Sequence, residues 1–407
     1  MCKHNLVFLG CLGLWSCTAA QAHGALRDSL TVARVVELAG ARAPEVLIAQ
    51  TRVLEARGRL AGARVLVQEN PAIDGVANSN RRFERRSELE LTLPIELGIR
   101  RSKRMGVARA DVQREVHLVS DTRRQAIGAA LAAYYRVLHA EQRIVAARER
   151  KTLAEELHRV AAEKFRTGDA ARLDVNVAET ELSRAESEVL SEQRARAGAR
   201  ADLAIVLGLP WSATLAVAGE LSDRSYFEHQ PAGPEPGQRP DILAARSEVR
   251  AAAAGLALGW AALIPDVSLR WNYGHEDGQS VERRGLAVTV PLFNLGQGER
   301  GEARARRERA RVELESRQVA AATEIEAART AYSAAVAAAR QLEEHGVPRA
   351  LETEAMARES YRAGKMDLPA VLVVRREALD TRREYLDRLL EAALSGIDLT
   401  VATGAFH

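Results

Sequence analysis

Most of this chain is written twice. The stretch "ARAPEVLIAQTRVLEARGRL" (41–60) returns as "QRPDILAARSEVRAAAAGLA" (238–257), with Pro44 answered by Pro240. "NPAIDGVAN" (70–78) returns as "IPDVSLRWN" (264–272), Pro71 answered by Pro265. "LELTLPIELG" (89–98) returns as "LAVTVPLFNLG" (286–296), Pro94 answered by Pro291, and "EKFRTGD" (163–169) returns as "ESYRAGK" (359–365). The offset stays between 194 and 198 residues throughout. Two copies of one architectural unit therefore cover almost the whole chain, and repetition on that scale dictates the fold before any short motif is weighed.

Inside one copy the apolar period changes. Leu89, Leu91 and Leu93 alternate with Glu88, Glu90 and Thr92. Val267, Leu269, Trp271 and Tyr273 alternate with Asp266, Ser268, Arg270 and Asn272, and Leu286, Val288 and Val290 with Ala287 and Thr289. A period of two marks a strand with one apolar and one polar face. The segment 72–78 is a weaker strand, with Gly75 and Ala77 where bulk is expected, and polar loops are expected at 79–87 and 275–283. After each strand pair the period becomes helical. No proline interrupts the chain between Pro94 and Pro210, and Ile127, Leu131, Tyr134 and Leu138 keep three-and-four spacing. A helix from Arg100 to Phe165 would be on the order of 100 Å long at 1.5 Å per residue. Gly168 and Gly364 then supply the left-handed residue that ends a helix, so the repeated turn is the tip of a helical hairpin, with a return helix over 173–207 in the first copy.

Composition suits long helices packed through small side chains: hydrophobic residues reach 47% but aromatic ones only 4%. The 58 basic and 55 acidic residues nearly cancel, which argues against a nucleic-acid partner. The three cysteines, Cys2, Cys11 and Cys17, all lie at the N-terminus. There Lys3 and His4 precede an apolar run from Leu6 to Trp15, and Ala20-Gln21-Ala22 offers a cleavage site. That is the plan of a signal peptide over residues 1–22. A rival reading acylates Cys17, although the bulky Trp15 stands beside that cut. No later stretch has the roughly 18 apolar residues of a membrane helix. The chain divides into the signal peptide, a first repeat (23–210), a proline-rich linker or equatorial segment (211–237) and a second repeat (238–407).

Four strands cannot close a barrel, and an open sheet edge cannot face lipid. The smallest membrane barrels need about eight strands. Strands that enter a membrane must therefore be pooled between chains, and three copies would supply twelve strands above a cylinder of helical hairpins. The fold class is mainly α with a small β part that would close into a barrel only when copies pool their strands. The apolar strand face (Leu89, Leu91, Leu93, Val267, Leu269, Trp271, Tyr273, Leu286, Val288 and Val290) would then meet lipid.

These features resemble the TolC-like outer-membrane factors, over nearly all of the mature chain. The resemblance rests on "FRTGDAARLDV" with its echo "YRAGKMDL", "LAIVLGLP" (203–210), "RPDILAARSEV" and "VTVPLFNLGQG". "ENPAI…LTLPIELGIRRSKR" (69–104), "VPLFNLGQGERGEARA" (290–305) and "HGVPRALETEAMARESYRAGKMDL", with Pro348 kinking a helix, look similar to the cobalt–zinc–cadmium, or CzcC-like, branch. The resemblance implies a trimeric, 12-stranded outer-membrane β-barrel on a periplasmic α-helical barrel, a passive efflux duct without cofactor or catalysis. It would join an inner-membrane RND-type pump and a periplasmic membrane-fusion adaptor to the exterior. The implied docking tips are Arg166, Thr167, Gly168 and Asp169, with Arg362, Ala363, Gly364 and Lys365. Such proteins often narrow the entrance with acidic residues just past the second tip. Residues 368–373 here read Leu-Pro-Ala-Val-Leu-Val, with Asp367 the lone carboxylate, which departs from that pattern.

Other chemistry finds little footing. There is no G-x-S-x-G, P-loop or dinucleotide fingerprint, and Gly296-Gln297-Gly298 fits a strand-to-helix junction. The nine histidines are scattered; His117, His139 and His158 fall on helices, and only His275, beside Glu276 and Asp277, suggests even a weak metal contact. Arg81, Arg82, Arg85 and Arg86 belong to an expected outer loop that could meet lipopolysaccharide. Arg166 and Arg362 are read as docking residues or as helix caps. Divalent cobalt, zinc or cadmium is the expected cargo. A duct for drugs, small organic compounds or secreted protein is the alternative, and a non-membrane coiled-coil protein a distant third.

Overall fold

In the computed structural model the described residues are 29–78, 86–96, 98–210, 216–223, 227, 236–276, 279–290, 293 and 295–406. The leader, Arg81, Arg82, Arg85, Asp277 and Pro291 lie outside them. The first copy comprises α1 (Val32–Arg42), α2 (Pro44–Arg64), β1 (Ala72–Asn78), β2 (Arg86–Ile95), α3 (Gly98–Thr167) and α4 (Arg172–Val206). The second comprises α5 (Pro240–Ala261), β3 (Asp266–Glu276), β4 (Gln279–Thr289), α6 (Gln297–Gln341), a π turn (Leu342–Gly346), α7 (Val347–Arg362) and α8 (Leu368–Thr403). Pro44 and Pro240 both open their helices at the first turn, where a missing N–H costs nothing.

The strands form one antiparallel sheet in the order β1-β2-β3-β4, so the two copies meet at the β2–β3 ladder. The expected loops are shorter than the sequence pattern predicted. Arg86 and Ser87 pair with Asn78 and Ala77 of β1, and Ser87 also with His275 of β3. β3 runs on to Glu276 and β4 starts at Gln279. At this end of the sheet polar residues occupy both faces, so the hydrophobic alternation fades while the backbone ladder continues. Val290 falls one residue beyond β4.

Helix α3 holds 70 residues and would extend about 105 Å at 1.5 Å per residue. Its apolar stripe is fully buried only in the middle, around Ile127, Leu131, Tyr134 and Leu138; Val116 is exposed. That middle section lies in the main core, which draws on both copies: Val35 of α1, Leu203 of α4, Ala335 of α6 and Leu389 of α8 all belong to it. Above and below it, the seams are mostly alanine, as at Ala108, Ala147, Ala161, Ala178 and Ala310.

The proline-rich segment between the copies is not a free tether in its described parts. Leu30 and Val217 form a parallel bridge, with Leu30 N–H donating to Ala216 O and Ala218 N–H to Leu30 O, both at 2.8 Å. Tyr134 Oη donates to Ala218 O at 2.5 Å. Burial, with Asp223 and Glu141 nearby, pushes the Tyr134 phenol up to about 12, so it stays a donor across the working pH range. Phe227 packs 5.6 Å from Tyr135, centroid to centroid.

Where the second copy begins, Arg239 is 5% exposed and ties three helices together. It grips Asp241 with two bonds (2.8 and 2.7 Å), reaches Glu324 of α6 at 2.9 Å, and donates to Ala402 O at the end of α8 at 3.2 Å. Arg124 of α3 donates to the neighbouring carbonyl, Val401 O. Two buried guanidinium groups thus satisfy the carbonyl end of α8, where cations are favoured. Burial works to raise the Asp241 pKa, but the Arg239 bonds and charge outweigh it and hold the carboxyl below its usual value. Arg239→Met, which takes from the half-buried Asp241 carboxylate its two-bond partner and leaves only the more distant Arg124 charge, should cost about 1–3 kcal/mol in stability, readable as a lower thermal midpoint. The pair stabilises the protein fully above the ordinary Asp pKa of 3.8, and this contribution is lost as pH falls through the depressed folded value. Asp241→Asn should flatten that limb of an acid titration of stability.

Candidate functional site

Two regions carry the features that the sequence singled out: the hairpin tips and the sheet. At each tip glycine takes the left-handed conformation, φ +85° at Gly168 and +70° at Gly364. The amide of Gly168 donates to Phe165 O (3.2 Å) and that of Asp169 to Lys164 O (2.8 Å). In the second tip Gly364 donates to Tyr361 O (3.1 Å) and Lys365 to Ser360 O (2.9 Å). Both are Schellman endings, one bond spanning three residues and the other five, and both require a residue that tolerates positive φ. The predicted tip residues are thus in one turn geometry written twice.

The tip arginines do not cap the helices. Arg166 pairs with Glu163 at 2.7 Å on its own helix, and Arg362 crosses to Glu156 of α3 at 3.0 Å. Thr167 Oγ1 donates to Asp169 Oδ2 at 2.8 Å. Asp367, the lone carboxylate past the second tip, is used locally: it accepts from the Ala370 amide at 3.0 Å and caps α8. The two tips also touch each other. Ala161 and Ala178 of the first hairpin pack with Tyr361, Leu368 and Val371 of the second, and Lys164 Nζ lies 4.2 Å from the centre of the Tyr361 ring.

In the sheet, register puts the apolar residues on one face. Leu91 opposes Ile73 and Trp271; Leu89 opposes Tyr273; Leu93 and Leu286 both oppose Leu269; Val267 opposes Ile95 and Val288. Directly opposed residues share a face. The other face carries Asp74, Glu88, Glu90, Thr92, Arg270 and Asn272, with Arg270 3.5 Å from Glu90. The apolar band ends in Trp271 and Tyr273, stacked with centroids 6.2 Å apart, and Trp271 Nε1 donates to Glu282 at 2.7 Å. In the single chain this band is open to solvent: Ile73 is 70% and Leu286 68% exposed. The edges β1 and β4 have no partner strand among the described residues.

No described helix is long and apolar enough to cross a membrane. No group of three or more potential metal ligands occurs among the described residues. His139 pairs with Asp387 at 2.8 Å, and His117 is pushed down by burial and by Arg250. His275 lies in β3 opposite Ser280 rather than in a loop. Sequence reasoning missed the cross-hairpin partners. Among them are Glu156 for Arg362, Glu192 for Arg143 (2.8 Å) and Glu188 for Arg150 (2.6 Å), none of which is near its partner in sequence.

Long paired hairpins, matching glycine tips and a one-faced open sheet define a channel protomer. A family model for outer membrane efflux proteins matches residues 35–209 and again 237–405, so the chain belongs to the outer membrane efflux protein family. It is an outer-membrane efflux channel, not an enzyme. The cobalt-zinc-cadmium resistance protein CzcC of Cupriavidus metallidurans is 24% identical over 364 residues, 88% of this chain and 86% of CzcC. Among solved structures, CusC aligns with a TM-score of 0.77 at 18% identity over 91% of either chain. The open-state MtrE outer membrane channel of Neisseria gonorrhoeae aligns with 0.76 at 19%, over 92% of this chain and 88% of MtrE. VceC of Vibrio cholerae aligns with 0.73 at 18%, over 92% and 96%. The TolC-like architecture read from the sequence stands.

Substituting Gly364→Val should strain the second tip by about 1–2 kcal/mol, the ordinary cost of the left-handed conformation for a residue with a side chain. Asp367→Ala should remove about 0.5–2 kcal/mol of capping. Hydrogen exchange at the amides of 363–371 would register both as faster local opening, with the exchange of 127–138 unchanged.

Proposed function

We propose that this chain, exported by the signal peptide at residues 1–22, assembles as a homotrimer. Its twelve pooled strands would form an outer-membrane barrel, and six hairpins would extend into the periplasm as a duct. The observation that carries this reading is the four-stranded sheet with one apolar face and two open edges. Hydrocarbon offers no partner for bare backbone groups, so β1 of one copy must pair with β4 of the next. Exposed apolar side chains along the helices, among them Leu190, Ile205, Val312, Val319 and Val373, support neighbouring copies on either side. Leu89, Leu91, Leu93, Val267, Leu269, Trp271, Tyr273, Leu286 and Val288 would face lipid, with Trp271 and Tyr273 at the level where aromatic girdles sit.

The tips, Arg166-Thr167-Gly168-Asp169 and Arg362-Ala363-Gly364-Lys365, would dock on a periplasmic membrane-fusion adaptor that links the duct to an inner-membrane RND-type pump. Their exposure and their repetition in both copies support this. For cargo we favour divalent heavy-metal cations such as cobalt, zinc and cadmium. The support is the end-to-end similarity to CzcC.

Growth of a deletion strain, with and without the restored gene, tests the cargo. Challenge with cobalt, zinc, cadmium, nickel and copper salts, beside detergents and hydrophobic drugs, should show metal sensitivity alone. Drug sensitivity alone would leave the channel in place and remove the metal assignment. The barrel has its own test. Leu286→Arg should cost about 2–4 kcal/mol at mid-membrane depth and deplete the protein from carbonate-washed outer membranes. Ala287→Arg, on the opposite face, should leave its yield nearly unchanged. Exchanging the tip charges (Asp169→Lys with Lys365→Asp) should lower cross-linking to the adaptor while the trimer still forms.

A further inference from the structure

Near the tips, where the second hairpin packs on the first, one buried charge is not matched. Arg375 of α8 is 7% exposed. Its Nη1 donates to Leu153 O at 3.3 Å, a long bond, and the nearest carboxylate paired with it among the described residues, Glu354, stands 3.9 Å from Nε, beyond hydrogen-bond reach. Glu354 is also shared with Arg358, at 3.4 Å. Arg375 Nη2 is buried and has no hydrogen-bond partner.

Arg375 also lines two cavities, of about 30 and 40 Å³. Arg150 and Arg376 line the first, with Glu181 as the carboxylate. Arg358 and Arg362 line the second, with Glu156 and Glu354. Five arginines and three carboxylates line the two spaces; Arg150 is held by Glu188 outside them at 2.6 Å, which leaves Arg375 as the buried cation without a close carboxylate. The carboxylates are divided further: Glu181 serves Arg150, Arg184 and Arg376, at 3.7, 2.6 and 3.6 Å. The remaining walls are apolar, with Leu157 common to both spaces and Val160 and Val371 in the second. Burial first, with the repulsion of Arg358 and Arg150 added, pulls the Arg375 guanidinium down to about 10 against the attraction of Glu354 and Glu156.

The geometry points to a small-anion site at Arg375, taking a monovalent ion of the size of chloride. A water molecule could accept the Nη2 proton but would bring no charge to a space where cations are in excess. The volume admits a halide or a pair of waters and little more. The apolar walls favour a weakly hydrated ion, so bromide and nitrate should bind at least as well as chloride, and phosphate should not enter. The bound ion would bridge α3, α7 and α8, joining the hairpins below the main core. Nothing in this site depends on which cargo the duct carries.

The test uses the full chain purified in detergent, with sodium gluconate replaced stepwise by chloride or bromide at constant ionic strength. The thermal midpoint should rise by a few degrees and saturate, as expected for a ligand of the folded state. Arg375→Met, which fills similar volume without charge, should fold, should lose the halide-dependent rise, and should match or exceed the parent in gluconate. Arg166→Gln, at the exposed tip, should keep the full rise. Crystals grown in bromide should show an anomalous peak within about 3.5 Å of Arg375 Nη2. An equal halide response in Arg375→Met would overturn the proposal. So would a bromide crystal in which that nitrogen meets only water or a re-aimed Glu354.

Discussion

Close approach of very long helices is the condition on which the rest of this structure depends, and alanine makes it possible. A methyl group lets neighbouring backbones come together, but it buries little apolar area, so each seam contributes modestly per residue. Most of the bulk lies in the middle of the molecule, around Tyr134, Tyr135, Phe227 and Leu131, with a smaller cluster of Tyr361, Leu368 and Val371 at the tips. Away from it, alignment falls to ion pairs that cross between helices. Examples are Arg200–Glu141 (2.7 Å), Arg143–Glu192 (2.8 Å) and Arg114–Glu248. Many of these arginines are largely buried along their stems, so they pack and pair with the same side chain. A composition poor in aromatic residues and rich in arginine and alanine is what such seams require.

The parts of the fold legible in the sequence were those with a local signal. Period-two stretches predicted the strands, and a proline-free run with three-and-four spacing predicted α3 and α4 to within about two residues at each end. Gly168 and Gly364 announced both turns because no other residue accepts that backbone so readily. The duplication then did more than any single motif, since it joined the strands and hairpins into one repeated unit.

What the sequence hid was long-range. Arg239 meets Glu324 and Ala402 across 85 and 163 positions, and no spacing rule connects them. The length of β3 and β4 was hidden for another reason. Pairing continues through Gln279 to Arg283, where side chains on both faces are mostly polar, so hydrophobic alternation ended before the hydrogen bonds did. The buried Arg375 had no signal either. It looks like any arginine of a helix face until the neighbouring hairpin is packed over it.

The two tips share a backbone and differ in charge. Each closes with the same pair of hydrogen bonds around a left-handed glycine, yet the residue that follows is Asp169 in one and Lys365 in the other. A ring in which the two hairpins alternate would therefore present an acidic and a basic residue in turn just after each tip glycine. A partner that reads only main-chain shape would find twice as many equivalent seats as there are chains. One that reads charge would find two interleaved sets, and could tell a first-copy seat from a second-copy seat by a single side chain.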